Sequence, residues 1–268
     1  TVSDPVHLRP LEEVWKQISV HQAGILERMF HHLRPPAVET LMRLLLTHQQ
    51  PELQFVVEDA VRSLIVQDEH CLESLIEHSD DRLAARLVPV LCLLEHHVSM
   101  TYLMRLARHS SAPVRRLAVK GILKGLAAAE DIFKLIDDPD EAVRRMILKQ
   151  LGQSRDETAE GLLIGYLQNP KVKTSQPEHI LECFRVLGKC GSMRSVPFLS
   201  ETLLRRKWMT GFRKSVYRQG AALALAALKT PQARQVLADA GRSIYPGLRK
   251  LAREAGSEPF ANQGGRSA

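Results

Sequence analysis

The sequence predicts an all-α fold, a solenoid of stacked helix pairs, on three observations. A unit of about 30 residues recurs along most of the chain. Hydrophobic residues make up 44% of the 268 residues and aromatic residues only 5%, so the core must consist of Leu, Val, Ile and Ala. Within a unit the apolar residues recur with the period of a helix. Because so short a unit cannot bury its apolar face alone, consecutive units must pack on each other.

Two segments show the repeat most clearly, because both contain Val-Arg-Arg after a turn. Residues 110–118 read Ser-Ser-Ala-Pro-Val-Arg-Arg-Leu-Ala, and residues 138–147 read Asp-Pro-Asp-Glu-Ala-Val-Arg-Arg-Met-Ile. We anchor each unit at the first apolar residue of its second helix, which predicts seven units, the later ones lengthened by insertions. The anchors are Leu53, Leu83, Val114, Val143, His179 or Ile180, Val216 and Leu248.

The third unit illustrates the predicted order of helix, turn and helix. Residues 100–108 form its first helix, residues 109–113 the turn and residues 114–126 the second helix. Ser111 is a good N-cap, and Pro113 falls in the first turn, where its missing N–H costs nothing. The second helix is expected to turn one apolar stripe to the core, formed by Val114, Leu117, Ala118, Gly121, Ile122 and Gly125.

We expect three regions along the chain. Residues 1–36 form N-terminal capping helices, residues 37–255 form the repeat solenoid, and residues 256–268 form a disordered tail rich in Gly and polar residues. No apolar run approaches the roughly 18 residues of a membrane span. No signal peptide is recognised, because the N-terminal region is charged and interrupted by Pro5 and Pro10. The chain is therefore predicted to be cytoplasmic.

The two quoted patterns, the second of which is followed by Leu-Gly, resemble HEAT repeats of the armadillo-like α-solenoid family. The resemblance extends over residues 37–255 and is sharpest over residues 109–152. It implies a right-handed superhelix of about seven antiparallel helix pairs, with the second helices lining its concave side. In that family the Arg after the Val often pairs with a turn Asp of an adjacent unit, which implies this role for Arg115 and Arg144.

The net charge of +7 is unevenly distributed along the chain. Residues 1–100 contain 8 Lys and Arg against 15 Asp and Glu, whereas residues 101–268 contain 29 against 15. A strongly basic region indicates an anionic partner, such as nucleic acid, an acidic protein, a phosphate-bearing ligand or a lipid headgroup. Solubility and local ion pairing explain the same composition equally well.

Basic residues fall at two equivalent positions of successive second helices. The side chains two and six residues after each anchor point away from the apolar stripe, because a helix turns by about 100° per residue. From the third unit onward most of these positions are basic, which predicts a basic concave groove for a linear anion or an acidic helix. Ordinary charged residues on a solvated helix face are the alternative. The predicted groove residues are Arg116, Lys120, Arg145, Lys149, Arg185, Arg218 and Lys250.

A basic and aromatic segment at residues 203–214 lies between the two predicted helices of the sixth unit. Basic residues next to aromatic side chains can hold phosphates and stack on bases, or anchor an acidic protein. Alternatively, the segment is a long turn whose Trp covers the core. Its candidate partner-binding residues are Arg205, Arg206, Lys207, Trp208, Arg213 and Lys214.

The sequence contains no recognisable catalytic or metal-binding motif. Its four cysteines lack CxxC spacing and are predicted to be reduced thiols in the core. The HEAT-repeat deoxyhypusine hydroxylases hold a di-iron site with His-Glu pairs, whereas this chain has only the reversed Glu-His order, which redirects both side chains. HEAT-like DNA glycosylases combine a catalytic Asp with Trp residues, and here Trp15 and Trp208 lie at opposite ends of the chain. We therefore predict no cofactor and no catalytic residue, with a metal site of scattered histidines as an alternative.

These observations lead to one functional hypothesis and one alternative. The hypothesis is a non-catalytic protein–protein interaction scaffold that binds an acidic partner through a basic concave surface, as one part of a larger bacterial-type protein or complex. The alternative is a nucleic-acid-binding HEAT-like solenoid, including a glycosylase-like DNA-repair module. The sequence leaves the oligomeric state open.

Overall fold

The computed structural model describes residues 5–15, 17–47, 50–125, 127–154, 156–169, 176–204 and 211–257. Over these residues the fold is all-helical, with sixteen α-helices, two short 3₁₀-helices (Val20–Gln22 and Pro35–Ala37) and no strand. The all-α prediction is therefore confirmed. The chain divides into two compact units, residues 1–127 and residues 128–268.

The first unit holds eight of the described α-helices. They are Pro5–Trp15 (α1), Ala23–Phe30 (α2), Val38–Thr47 (α3), Pro51–Gln67 (α4), Cys71–His78 (α5), Asp81–Leu91 (α6), His96–Leu106 (α7) and Ala112–Lys124 (α8). Within this unit, α4 packs on α6 and α6 packs on α8, while α3 contacts α1, α4 and α6. The second helices of the first three predicted repeats, α4, α6 and α8, are therefore neighbours.

The second unit holds the other eight described α-helices. They are Ala129–Phe133 (α9), Glu141–Ser154 (α10), Glu157–Gln168 (α11), Pro177–Cys190 (α12), Ser195–Leu204 (α13), Gly211–Leu228 (α14), Pro231–Gly241 (α15) and Pro246–Ser257 (α16). The even-numbered helices pack in chain order, α10 on α12, α12 on α14 and α14 on α16. The odd-numbered helices do the same from α9 to α15. This unit therefore consists of two rows of helices, joined by contacts within each successive pair.

The seven predicted anchors all belong to the core. Each lies in an even-numbered helix from α4 to α16, and none of them, with His179 and Ile180 both counted for the fifth unit, is more than 8% exposed. The apolar stripe of α8 differs from the prediction, because Leu117 and Gly125 are exposed whereas Val119 is buried. Since α8 packs on both α6 and α7, its buried face is wider than a single stripe.

Aspartate side chains cap two of the second helices. Asp80 accepts a hydrogen bond from the N–H of Leu83 (2.8 Å) at the start of α6, and Asp140 accepts one from the N–H of Val143 (3.1 Å) in α10. Such bonds satisfy donors that have no partner within the first helical turn. Ser111 occupies the N-cap position of α8 as predicted, but its side chain makes no capping bond.

Three arginines hold the turn before their own helix in the same way. The Nη1 group of Arg144 donates to the carbonyl oxygens of Asp138 (2.7 Å) and Pro139 (3.0 Å). Arg115 in α8 and Arg249 in α16 also donate to the carbonyl oxygens six and five residues earlier. These bonds tie each arginine to its own unit, so they give the recurring Arg a structural role. The pairing with an Asp of an adjacent unit that the resemblance implies stays a prediction.

The boundaries of the three regions expected from the sequence stay predictions. The predicted tail, residues 256–268, overlaps the end of α16 at Ser257, and residues 258–268 lie outside the described residues.

Candidate basic interaction surface

The predicted cations of α8 and α10 lie on the exposed side of their helices. In α8, which belongs to the first unit, Arg116 and Lys120 are exposed. In α10, which belongs to the second unit, Arg145 and Lys149 are exposed at the same spacing of four residues. Side chains two and six residues after a buried anchor are therefore turned to solvent in both helices, as the helical geometry predicts.

The predicted cations of α12 and α14 are less accessible than those of α8 and α10. Arg185 in α12 and Arg218 in α14 are half-buried, because each of these helices has a neighbour on both sides of its row. Ala222, which occupies the second of the two positions in α14, is buried. Lys250 in α16, the last helix of the row, is exposed.

Several cations of this surface form ion pairs with a glutamate one turn away in their own helix. Exposed pairs of this kind contribute only about 0.3–0.5 kcal/mol to stability. A carboxylate of a partner can therefore replace the intrahelical one at little cost. The pairs are Arg145 with Glu141, Arg185 with Glu182 at 3.2 Å, and Lys250 with Glu254 at 3.7 Å.

Lys120 and Lys149 differ from these paired cations. Neither forms an ion pair with any residue that the structure describes, and both are exposed. These two lysines are therefore the members of the predicted groove that are best placed to meet an external anion, one in each unit.

The basic and aromatic segment is only partly described. α13 ends at Leu204 and α14 begins at Gly211, so residues 211–214 belong to the first turn of a helix. The two flanking helices therefore extend into the predicted connection, residues 203–214, from both ends, because Leu, Arg and Lys are good helix formers. The candidate side chains that lie outside the described residues are those of Arg205, Arg206, Lys207, Trp208, Arg213 and Lys214.

The charge differs between the two units. Residues 1–127 contain 14 Lys and Arg against 15 Asp and Glu, whereas residues 128–268 contain 23 against 15. The net positive charge therefore belongs to the second unit, whose even-numbered helices carry most of the predicted groove residues. A positively charged surface attracts anions over a distance of about 8–10 Å at physiological ionic strength.

A buried cluster of titratable side chains in the second unit was not predicted from the sequence. His179 and Cys183, one turn apart in α12, place Nε2 and Sγ 3.9 Å apart. The ring of Tyr166 meets His179 edge-on, and its hydroxyl donates to Asp137. Burial raises the pKa of the Cys183 thiol and lowers the pKa of His179. A neutral thiol beside a neutral imidazole is not an activated nucleophile, so this cluster is structural.

Protonation of His179 is expected to destabilise the second unit as the pH falls. Burial and the charge of Arg144 lower the pKa of His179 below its ordinary value of 6.5, against the opposite effect of Asp137 and Glu182. The unfolded chain then binds a proton that the folded chain does not. The stabilisation is therefore fully present above about pH 6.5 and is lost as the pH falls through the pKa of the folded state. Urea unfolding over this pH range should show a smaller loss of stability for His179→Gln than for the wild type.

An exposed histidine provides the control for this pH dependence. His97 is exposed, so His97→Gln should lose stability with falling pH as the wild type does. A wild-type pH dependence in His179→Gln would contradict the assignment.

A buried carboxylate joins α11 to α13. Glu160 accepts hydrogen bonds from the backbone N–H (2.9 Å) and the hydroxyl (3.2 Å) of Ser192, and from the hydroxyl of Ser195. Burial opposes the charged form, but the hydrogen bonds from Ser195 and Ser192 outweigh it and lower the pKa of Glu160. Since the carboxylate lies at the N-terminus of α13, the helix dipole also favours its charge. Its interactions are with the protein itself, which indicates a structural role.

The cysteines follow the core prediction only in part. All four are free, with Cys183 and Cys190 buried, Cys71 half-buried and Cys92 exposed, so the prediction is wrong for Cys92. Burial raises the pKa of Cys71 and of Cys190 to about 11, which keeps both thiols protonated at neutral pH. Among the described residues, no group of three His, Cys, Asp or Glu side chains is arranged to hold a metal ion.

Comparison of the chain with protein-family models and with curated proteins gives no match. Within the described ranges, no helix has the length and apolar character needed to cross a membrane.

Proposed function

We propose that this chain is a non-catalytic interaction scaffold that binds an acidic protein partner through the basic face of its even-numbered helices. One observation carries the proposal. Cations recur at equivalent exposed or half-buried positions of α10, α12, α14 and α16, four helices that pack in chain order. Regularly spaced cations on neighbouring helices match an extended acidic surface better than a small ligand. Each side chain would act by electrostatic attraction and hydrogen bonding.

The helix order supports a HEAT-like solenoid as the architecture of this scaffold. After α1 and α2, seven pairs from α3/α4 to α15/α16 follow each other among the described residues, as many as the predicted units. The turn-holding role of Arg115, Arg144 and Arg249 recurs in three of these pairs. In a HEAT-like superhelix the second helix of each pair lines the concave side, which would place the cations in a groove. We propose the cytoplasm as its compartment, since the four cysteines are free.

Charge reversal at Lys120 and Lys149 is expected to weaken the binding of an acidic polypeptide strongly. We expect Lys120→Glu with Lys149→Glu to weaken binding of labelled polyglutamate by at least about tenfold, or about 1.4 kcal/mol. Helicity and melting temperature should stay nearly unchanged, because both side chains are exposed. Fluorescence anisotropy near physiological ionic strength measures the affinity, and circular dichroism measures the fold.

A second double variant tests whether the loss of affinity depends on this surface or only on the net charge of the protein. Lys134 follows α9 and Arg234 lies in α15, and both are exposed cations of the odd-numbered row. Lys134→Glu with Arg234→Glu changes the charge by the same amount and should alter the affinity by less than about twofold. An equal loss in both double variants would mean that only net charge matters. Wild-type binding by the Lys120 and Lys149 variant would show that the basic face is merely solvated.

Competition by DNA tests the nucleic-acid alternative. Duplex or single-stranded DNA should displace polyglutamate only weakly from an acidic-protein scaffold. A pull-down from the host lysate, with and without nuclease, gives the matching evidence. Partner proteins retained after nuclease treatment would support the scaffold, whereas their loss, together with strong DNA competition, would favour nucleic-acid binding.

A further inference from the structure

Apolar side chains are exposed on three neighbouring helices of the first unit, α4, α6 with the turn that follows it, and α8. Phe55 and Val66 in α4 are 69% and 73% exposed, and Leu117 in α8 is 39% exposed. Pro89, in α6 between these two helices, is also exposed. Phe55, Val66 and Pro89 lie about 200–240° around their helices from the anchor, on the side away from the core, whereas Leu117 lies at about 300°, at the edge of the buried face. Leu93, in the turn directly after α6, is 58% exposed. We call these five residues the apolar face.

Contacts between the three helices show that they are neighbours. Arg86 of α6 forms an ion pair with Glu58 of α4 at 2.8 Å, which bridges the first two helices. At the other end, a Cβ added to Gly121 of α8 would lie 2.9 Å from the Sγ of Cys92, the residue before Leu93. The five residues of the apolar face therefore belong to helices that adjoin, and to the turn after α6.

Positive charge borders the apolar face at α8. Residues 101–127 contain six Lys and Arg and no Asp or Glu. Three of these cations, Arg116, Lys120 and Lys124, are exposed in α8, the helix that also carries Leu117. Although the residue as a whole is exposed, the Sγ of Cys92 faces the buried Gly121, and this partial burial raises its pKa against the opposite effect of the nearby Lys124. On α4, Asp59 is paired with Arg62 at 2.5 Å, so its charge is largely compensated.

We infer that the apolar face and its border of cations bind an amphipathic acidic helix of a partner protein. The inference rests on the proposed function and specifies the chemistry of the partner. A helix with apolar residues at positions i, i+3, i+4 and i+7 presents them on one side, which fits a row of exposed apolar side chains. Its carboxylates, on the adjacent side, would reach Arg116, Lys120 and Lys124. The cations of α8 require a partner with negative charge. The apolar residues supply the apolar surface that is buried in the contact.

The exposed aromatic ring is expected to contribute most to this contact. Burial of a Phe side chain removes a large apolar area from water, and aromatic residues are enriched among the residues that dominate binding energy. Phe55 is more than two-thirds exposed, so its ring contributes little to the core and is available to a partner.

A pair of synthetic peptides of about 18 residues, or five helical turns, tests the inference. One peptide places leucines at i, i+3, i+4 and i+7 with glutamates elsewhere, and the other has the same composition in scrambled order. We expect the wild-type protein to bind the amphipathic peptide at least about tenfold more tightly than the scrambled one. Phe55→Ser should remove most of this preference while leaving the weak charge-driven binding of the scrambled peptide unchanged.

Ile244 provides the matched control, because it is 79% exposed and belongs to the second unit. Ile244→Ser should keep the tenfold preference, and the melting temperatures of both serine variants should match the wild type. Equal binding of the two peptides, or an unchanged preference in Phe55→Ser, would overturn the inference while leaving the acidic-partner proposal standing. Failure to bind either peptide, with binding of duplex DNA, would overturn both.

Discussion

Replacing Gly188 with alanine is expected to destabilise the second unit by about 1–2 kcal/mol, although alanine is the better helix former. A Cβ at Gly188 in α12 would lie 2.7 Å from the Cβ of Ala227 and 2.9 Å from the Cα of Ala224 in α14. Because one of these contacts is with backbone, the two helices must move apart to admit the methyl group. Urea unfolding followed by circular dichroism measures the loss.

Gly161 in α11 is the control for this substitution. It is also inside a helix, but an added Cβ would meet nothing within 4 Å. Gly161→Ala should therefore stabilise the protein by about 0.5–1 kcal/mol, which is the gain in helix propensity alone. The free energy of unfolding is therefore expected to fall in Gly188→Ala and to rise in Gly161→Ala. Stabilisation by both would show that α12 and α14 do not approach as closely as described.

Removal of the Glu160 carboxylate is expected to lower the free energy of unfolding by about 3 kcal/mol. Glu160→Ala leaves the buried hydroxyl of Ser195 and the N–H of Ser192 without their acceptor, and bonds to a charged group are among the stronger ones. Glu157, one turn earlier in α11, is exposed and pairs with Arg194. Glu157→Ala should cost less than about 1 kcal/mol. A similar loss in both variants would contradict the structural role of Glu160.

The pH dependence of stability provides a second measurement on the same carboxylate. Because the pKa of Glu160 lies below its ordinary value of 4.5, the unfolded chain binds the proton more readily than the folded one. The stabilisation is present above about pH 4.5 and is lost as the pH falls through the folded-state pKa. Glu160→Gln should therefore be less stable at neutral pH and lose less stability on acidification than the wild type.

Much of the helical core was predictable because the relevant signals are local. The anchors repeat at intervals set by the helix period and the turn chemistry, and those of the clearest units, Val114 and Val143, are fully buried. The same geometry predicted the exposure of Lys120 and Lys149, since a side chain six residues after a buried one lies on the far side of the helix.

The candidate surface was less predictable than the core, because exposure depends on neighbours as well as on helical phase. Arg185 and Arg218 occupy the predicted phase but are half-buried between adjacent helices of the row. Phe55 lies at the same angular position relative to the anchor of its helix, yet its large apolar side chain is exposed. The periodicity of a single helix does not distinguish a half-buried cation from an exposed apolar side chain.

By itself, the sequence determined the helical class, the anchors of the core and the side of each helix that carries the cations, because these follow from spacing along one helix. Only the tertiary structure decided which helices adjoin, how deeply each cation is buried and which polar groups meet. Glu160 and Ser195 lie 35 residues apart, and Glu58 and Arg86 lie 28 apart, in different helices. Their contacts depend on the packing of helices that are distant in the chain, which local periodicity does not encode.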